Sequence, residues 1–140
     1  MIEIKWTRVH DYGCEPWRAL DGDAGYDLCA IENTSINPFQ VHRIRTGIAV
    51  EIPVGYYGRV IGRSGLSAEG VLVYPGTIDS GYRGEISVVM QNLSGKLYLV
   101  RHPNRIAQLI IAPLPKTRMV QADHLDETDR GTNGFGSTGR

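Results

Sequence analysis

The sequence predicts an all-β protein, and three observations predict it. Short runs rich in β-branched and aromatic residues recur from the N-terminus to about Pro113. Glycine, proline or asparagine punctuates the gaps between them. Helical periodicity is nearly absent, the best candidate being a turn or two after Ser64. Many short strands at regular spacing read as a β-sandwich, a jelly roll or a small barrel.

The elements follow in order. Residues 2–6 alternate apolar and polar. Residues 41–52 form a long β-branched run, preceded by the Asn37-Pro38 turn signal and closed by Pro53 and Gly55. Residues 56–61, 71–74, 85–91, 97–100 and 106–112 are further strand candidates. Pro75-Gly76, Asn92, Gly95, Pro103-Asn104 and Pro113 mark their ends, because these residues suit turns and interrupt ladders. No internal repeat is visible. The chain divides into a β domain over residues 1–122 and a tail over 123–140. The tail opens on an acidic stretch, 123–129, and ends in glycine-rich sequence.

Composition narrows the function classes. A chain of 140 residues is long enough for one domain with its own core. Fifteen basic residues balance fifteen acidic ones, which argues against bulk nucleic-acid or membrane binding and leaves room for a local basic pocket. The two cysteines, Cys14 and Cys29, lack C-x-x-C spacing, so a reducing compartment is expected and no zinc site. Cys29 sits in an apolar run and reads as a buried thiol. No charged-then-apolar leader opens the sequence and no apolar run approaches membrane length, so a soluble intracellular protein is expected.

Five polar, glycine-punctuated segments carry the candidate chemistry. In Asp23-Ala-Gly-Tyr-Asp-Leu28, Asp27 precedes an apolar run and is expected where a strand begins; alone it reads as a turn or cap carboxylate. In Gly62-Arg-Ser-Gly-Leu-Ser67, Arg63, Ser64 and Gly65 could form an anion nest, or simply a strand-to-turn exit. Gly76-Thr-Ile-Asp-Ser-Gly-Tyr-Arg-Gly84 looks like a hairpin loop flanked by strands. There Asp79 could position and deprotonate a water while Tyr82 packs on a sugar face; the bland alternative is a turn aspartate and a covering tyrosine. In Asn104-Arg-Ile-Ala-Gln-Leu-Ile-Ile111, Arg105 and Gln108 interrupt a strand and could face solvent.

The last segment is Arg130-Gly-Thr-Asn-Gly-Phe-Gly-Ser-Thr-Gly139. It has no apolar period and cannot build a core, but its backbone can approach a ligand closely. Arginine and hydroxyls suit phosphate, and the Phe135 ring suits a flat base. The G-x-G-x-x-G at Gly134, Gly136 and Gly139 does not read as a dinucleotide motif, because that motif must open a helix and only Arg140 follows. The alternative is a disordered tail.

In order and wording the five segments resemble the motifs of the homotrimeric dUTPase family, almost end to end. The segments beginning at Thr77 and Arg130 are the most specific. Asn104 stands where an acidic residue is commoner, and Asn133 where glycine is. The resemblance implies a jelly-roll-like β-barrel with a flexible C-terminal arm, and a homotrimer whose shared active sites the arms close. It implies hydrolysis of dUTP to dUMP and pyrophosphate with Mg2+, held mainly by the triphosphate and water with no direct protein ligand.

By the same resemblance Asp79 orients the attacking water and accepts its proton. Tyr82 excludes a 2′-hydroxyl. The backbone around Thr77 and Ile78 reads uracil. Ser64 and Gly65, with Arg63 nearby, hold the α- and β-phosphates, and Gln108 hydrogen-bonds phosphate-bound water or phosphate. Phe135 stacks on the base with Gly136 beside it, while Arg130, Ser137 and Thr138 clamp the γ-phosphate. Asp27 supports the metal's water shell or the arm's arginine. A dCTP deaminase shares this fold, but Val89 stands where its glutamate would be expected. A protein-binding regulator on the same fold is the other alternative, and a regulatory partner stays open.

Overall fold

Antiparallel pairing joins every strand of the chain, in a computed structural model that describes residues 1–139. Arg140, the last residue of the tail as bounded from sequence, lies outside the described residues. The strands are β1 (Lys5–Arg8), β2 (Gly25–Cys29), β3 (Thr34–Ile36), β4 (Val41–Arg45), β5 (Ile48–Glu51) and β6 (Tyr56–Ile61). After the helix α1 (Ser64–Ala68) come β7 (Val71–Val73), β8 (Gly76–Ile78), β9 (Ser87–Asn92), β10 (Tyr98–Val100) and β11 (Arg105–Pro113). The sheets run β2-β11-β6-β8, β4-β9-β7, β1-β5 and β10-β3. They wrap one apolar core in a jelly-roll-like arrangement, and among the described residues the ladders do not join into a single closed barrel.

Period-two alternation selects the core. In β9, Val88, Met90 and Asn92 point inward while Ser87, Val89 and Gln91 are half-buried. Ile36, Ile44, Ile86, Val88, Met90 and Ile106 are completely buried, so the centre is mainly branched aliphatic side chains. Asn92 is the most deeply buried of the polar exceptions. Its amide donates to the carbonyls of Ile36 and Lys96, which replaces the hydrogen bonds lost from water.

Four expectations change. Residues 41–52 are not one strand. β4 pairs with β9 and β5 pairs with β1, so the chain changes sheets between them. The break falls at Thr46 and Gly47. Gly47 adopts φ +69°, and a Cβ there would lie 2.8 Å from Ile31 Cγ2. Thr46 is buried, with its hydroxyl donating to Ile86 O at 2.6 Å. The first strand lies at Lys5–Arg8 rather than residues 2–6, because pairing to Ile48–Glu51 sets its register. Asp27 sits mid-strand in β2 rather than at a strand start. The segment at residues 76–84 is not a simple hairpin, since β8 pairs with β6 whereas β9 pairs with β4 and β7. Its loop therefore crosses from one sheet to another.

Residues beyond Pro113 leave the body. Leu114 N–H donates to Gly55 O at 2.7 Å, and from Leu114 to Gly139 every residue is exposed. No described helix is long and apolar enough to cross a membrane.

Candidate active site

Two clefts collect most of the polar residues singled out from sequence. The first, about 460 Å³, is lined by Arg43, Gly76, Thr77, Ile78, Asp79, Tyr82, Glu85, Ile86 and Ser87. β8 carries Thr77 and Ile78 to its edge, Ile78 opposite Gly58 of β6. Asp79 follows at the first position past the strand. Its carbonyl accepts the Tyr82 N–H at 3.0 Å, closing a tight turn. Arg83 Nη1 braces that turn through Ser80 O at 2.7 Å. The Asp79 side chain is exposed, and among the described residues no hydrogen bond or ion pair engages its carboxylate.

Tyr82 folds back over Gly84 and donates its hydroxyl to Glu85 O at 2.9 Å. A Cβ at Gly84 would lie 2.6 Å from Tyr82 Cζ, so the ring needs glycine there. Glu85 fastens the far end of the loop. Its carboxylate accepts Gly47 N–H at 2.9 Å and Arg45 Nε at 3.0 Å. The hydrogen bond to Glu85 raises the pKa of Arg45. Sequence reading gave Glu85 no role. The one signal was an acidic residue placed directly before the apolar run of β9.

The second cleft, about 410 Å³, is lined by Asp27, Arg63, Arg105 and Gln108 together with residues 17–19 and 23–25. Gln108 of β11 lies opposite Asp27 of β2 and Ile61 of β6. Arg63 sits just beyond β6, where the chain turns into α1. Asp27 is buried, and its two oxygens face two guanidiniums. Oδ2 accepts from Arg105 Nη1 at 3.2 Å, and Oδ1 lies 3.2 Å from Arg63 Nε. The Oδ1 contact is ionic without hydrogen-bond geometry, which leaves that oxygen able to accept another donor. Ser64 and Gly65 open α1 as exposed residues outside this lining. Cys29 follows on the same strand. Burial, and then the nearby Cys14, push its thiol up to about 11. It is half-buried rather than fully buried.

Among the described residues the clefts share no lining residue, and no arm residue lines either one. Arg130, Phe135, Gly136, Ser137 and Thr138 are all exposed. The arm's hydrogen bonds are its own, such as Asn133 N to Arg130 O at 3.2 Å and Ser137 N to Gly134 O at 3.2 Å. Phe135 stands at φ +47°, a left-handed conformation uncommon for a bulky residue. Among the described residues, no three His, Cys, Asp or Glu side chains gather as a metal-ligand set.

A protein-family model described as dUTPase matches residues 12–139. A deoxyuridine 5'-triphosphate nucleotidohydrolase of Helicobacter pylori is 41% identical over 141 residues, covering 99% of this chain and 97% of the relative. The protein of that name from Alkaliphilus metalliredigens is 42% identical over 142 residues, covering 99% of each chain. Among solved structures, a variant of the dUTPase of Staphylococcus bacteriophage 80alpha with dUpNHpp matches with TM-score 0.89 at 26% identity, over 100% of both chains. A variant of the dUTPase of phage phi11 of S. aureus matches with TM-score 0.83 at 25% identity, over 88% of this chain and 98% of that one. The latter is described as coordinating a structural Mg(II) ion.

Proposed function

The chain belongs to the dUTPase family and is a dUTP diphosphatase, and we propose that it releases dUMP and pyrophosphate through in-line attack of an Asp79-oriented water on the α-phosphorus. The observation that carries this mechanism is the unengaged Asp79 carboxylate beside Tyr82 in one braced cleft. A carboxylate not committed to a structural ion pair is free to align a water and take its proton. No protein nucleophile is needed, and positioning and electrostatics provide most of the acceleration.

The substrate's parts divide among the polar groups. The Thr77 and Ile78 backbone meets the uracil edge, and a tight loop leaves little space for a 5-methyl group. Tyr82 packs under deoxyribose and blocks a 2′-hydroxyl sterically. Arg63, Ser64, Gly65 and Gln108 take the α- and β-phosphates. Phe135 and Gly136 cover the base, while Arg130, Ser137 and Thr138 hold the γ-phosphate. The open valence of Asp27 Oδ1 suits a donor from the metal's water shell or from the arm's arginine. Magnesium would enter as a hydrated cation held by the triphosphate, with Asp27 Oδ1 reaching its water shell, and would offset phosphate charge. Removal of dUTP keeps uracil out of DNA, and the dUMP released supplies thymidylate synthesis.

The base and phosphate groups lie in clefts without a common residue, and the arm lines neither. That separation supports a homotrimer in which neighbouring chains complete one site. The decisive assay follows pyrophosphate release from dUTP, dCTP, dTTP and UTP in parallel, with ammonia measured beside it. Rapid release from dUTP alone is expected. Ammonia from dCTP, or no turnover of any nucleotide, overturns the reading.

A further inference from the structure

Trp17 is half exposed, yet it is fixed to the phosphate cleft from two directions. Its backbone forms an isolated bridge with Asp27. Asp27 N–H donates to Trp17 O at 2.6 Å, and Trp17 N–H to Asp27 O at 3.4 Å. Its indole ring carries the Arg105 guanidinium, whose central carbon lies 4.6 Å from the ring centroid. Arg105 in turn reaches Asp27 Oδ2 at 3.2 Å. Ring, guanidinium and carboxylate thus form a closed triangle, with one edge made of main chain.

We propose that Trp17 is a positioning residue that holds Arg105 on Asp27, so that one carboxylate is shared between two guanidiniums and Arg63 keeps positive charge to offer the triphosphate. This rests on the phosphate role proposed above for Arg63. The argument is one of charge and entropy. Asp27 faces Arg63 and Arg105, so one negative and two positive charges leave the cluster at +1. An arginine loses much rotamer freedom when fixed, and a ring face beneath the guanidinium fixes it in advance. Without the ring, Arg105 samples solvent, its side chain being 46% exposed. Asp27 then draws on Arg63 alone, and that pair is neutral. The phosphate cleft would lose its net positive charge while retaining every residue assigned to it.

The test compares the full-length parent with Trp17→Leu and Trp17→Phe. Steady-state kinetics with dUTP are measured at low and high salt. Trp17→Leu is expected to raise KM about two- to fivefold, the scale of a cation–π contact, with little change in kcat. Its KM should also depend less on salt, because the site has less charge to screen. Trp17→Phe restores a ring and should return KM to within about twofold of the parent. A purely structural role would lower thermal stability without this KM-against-kcat split or its rescue.

A second readout is independent of activity. In the ligand-free protein the Arg105 Nε–H signal in 15N NMR should be ring-current shifted in the parent and in Trp17→Phe, and unshifted in Trp17→Leu. If the NMR pattern appears but dUTP is not hydrolysed, the functional reading of the cleft fails and the clamp stands. If Trp17→Leu leaves KM and the Arg105 signal unchanged, or if Trp17→Phe is as impaired as Trp17→Leu, the positioning role is overturned.

Discussion

The loop after β8 and the C-terminal arm look alike in composition and are held in opposite ways. Both are rich in glycine and hydroxyls, and each carries one aromatic ring and at least one arginine. The loop is tied to the body at both ends. Ile78 is buried at one end, and Glu85 grips Gly47 N–H and Arg45 at the other. Between them the Tyr82 hydroxyl and the Arg83 guanidinium each bond a loop carbonyl. The arm makes only short internal turns after Leu114. The loop is therefore organised before any nucleotide arrives. In the mechanism proposed above the nucleotide would order the arm, against a backbone entropy cost of about 1–2 kcal/mol per residue fixed. The proposed mechanism accordingly puts the chemistry that depends on precise placement on the first segment, and capture and closure on the second.

The largest expected effect lies on the organised side. Asp79→Asn keeps size and turn geometry and removes the base, so kcat should fall by roughly 10²–10⁴-fold with nucleotide binding largely retained. A variant nearly as fast as the parent would remove Asp79 from the mechanism and erase the contrast with the arm.

Next is the arm as a unit. Truncation before Arg130 should cost turnover on the order of 10²-fold, the scale for losing alignment and closure. The melting transition should stay put, since no described arm residue is buried. Mixing that truncated chain with Asp79→Asn chains should restore part of the activity, because a mixed assembly can join an intact arm to an intact loop. No restoration after proven subunit mixing would count against sites shared between chains. A truncated protein with full activity would leave the arm without a role.

Glu85 sharpens the same comparison from the loop's side. Glu85→Ala removes a charge-assisted bond to Gly47 N–H and the contact to Arg45 together. The bond to Gly47 should be worth about 1.5–3 kcal/mol, so stability falls as activity falls. Denaturant unfolding checks the first effect, and pyrophosphate release the second. A Glu85→Ala protein of parental stability and rate would show that the loop does not depend on its brace.

Local signals made much of this legible. The runs at 56–61, 71–74, 97–100 and 106–112 became strands because β-branched alternation and terminal turn residues agree there. Pairing was illegible. The run at 41–52 reads continuously, yet the fit of Gly47 against Ile31 and Gly13 bends it between two sheets, and those partners are distant in sequence. Asp27 looked like a strand opener because its mid-strand position is set by β11, far along the chain. The site residues were named through their likeness to family motifs. The division of Thr77, Ile78, Asp79 and Tyr82 from Asp27, Arg63 and Gln108 into two clefts follows from sheet topology, which no motif states. Glu85 and Trp17 were passed over for a related reason, since each acts through a partner remote in sequence: Gly47 and Arg45 for one, Arg105 for the other.

The smallest effect expected is at Phe135, and its smallness is informative. Phe135→Ala removes the ring proposed to stack on uracil and leaves Arg130, Ser137 and Thr138 for the phosphate. An aromatic stacking contact is worth about 0.5–1.5 kcal/mol beyond burial, which corresponds to roughly a two- to tenfold rise in KM. Truncation should cost far more, because it removes phosphate clamp and ring together. Amide exchange with and without dUpNHpp and magnesium separates the two contributions. Arm amides should gain protection in the parent, and somewhat less in Phe135→Ala, while the Tyr82 amide, bonded to Asp79 O, should already be protected without ligand. If the arm is equally protected in both states, ordering by the nucleotide is lost as an explanation. If Phe135→Ala is as damaging as truncation, the ring rather than the phosphate clamp drives closure.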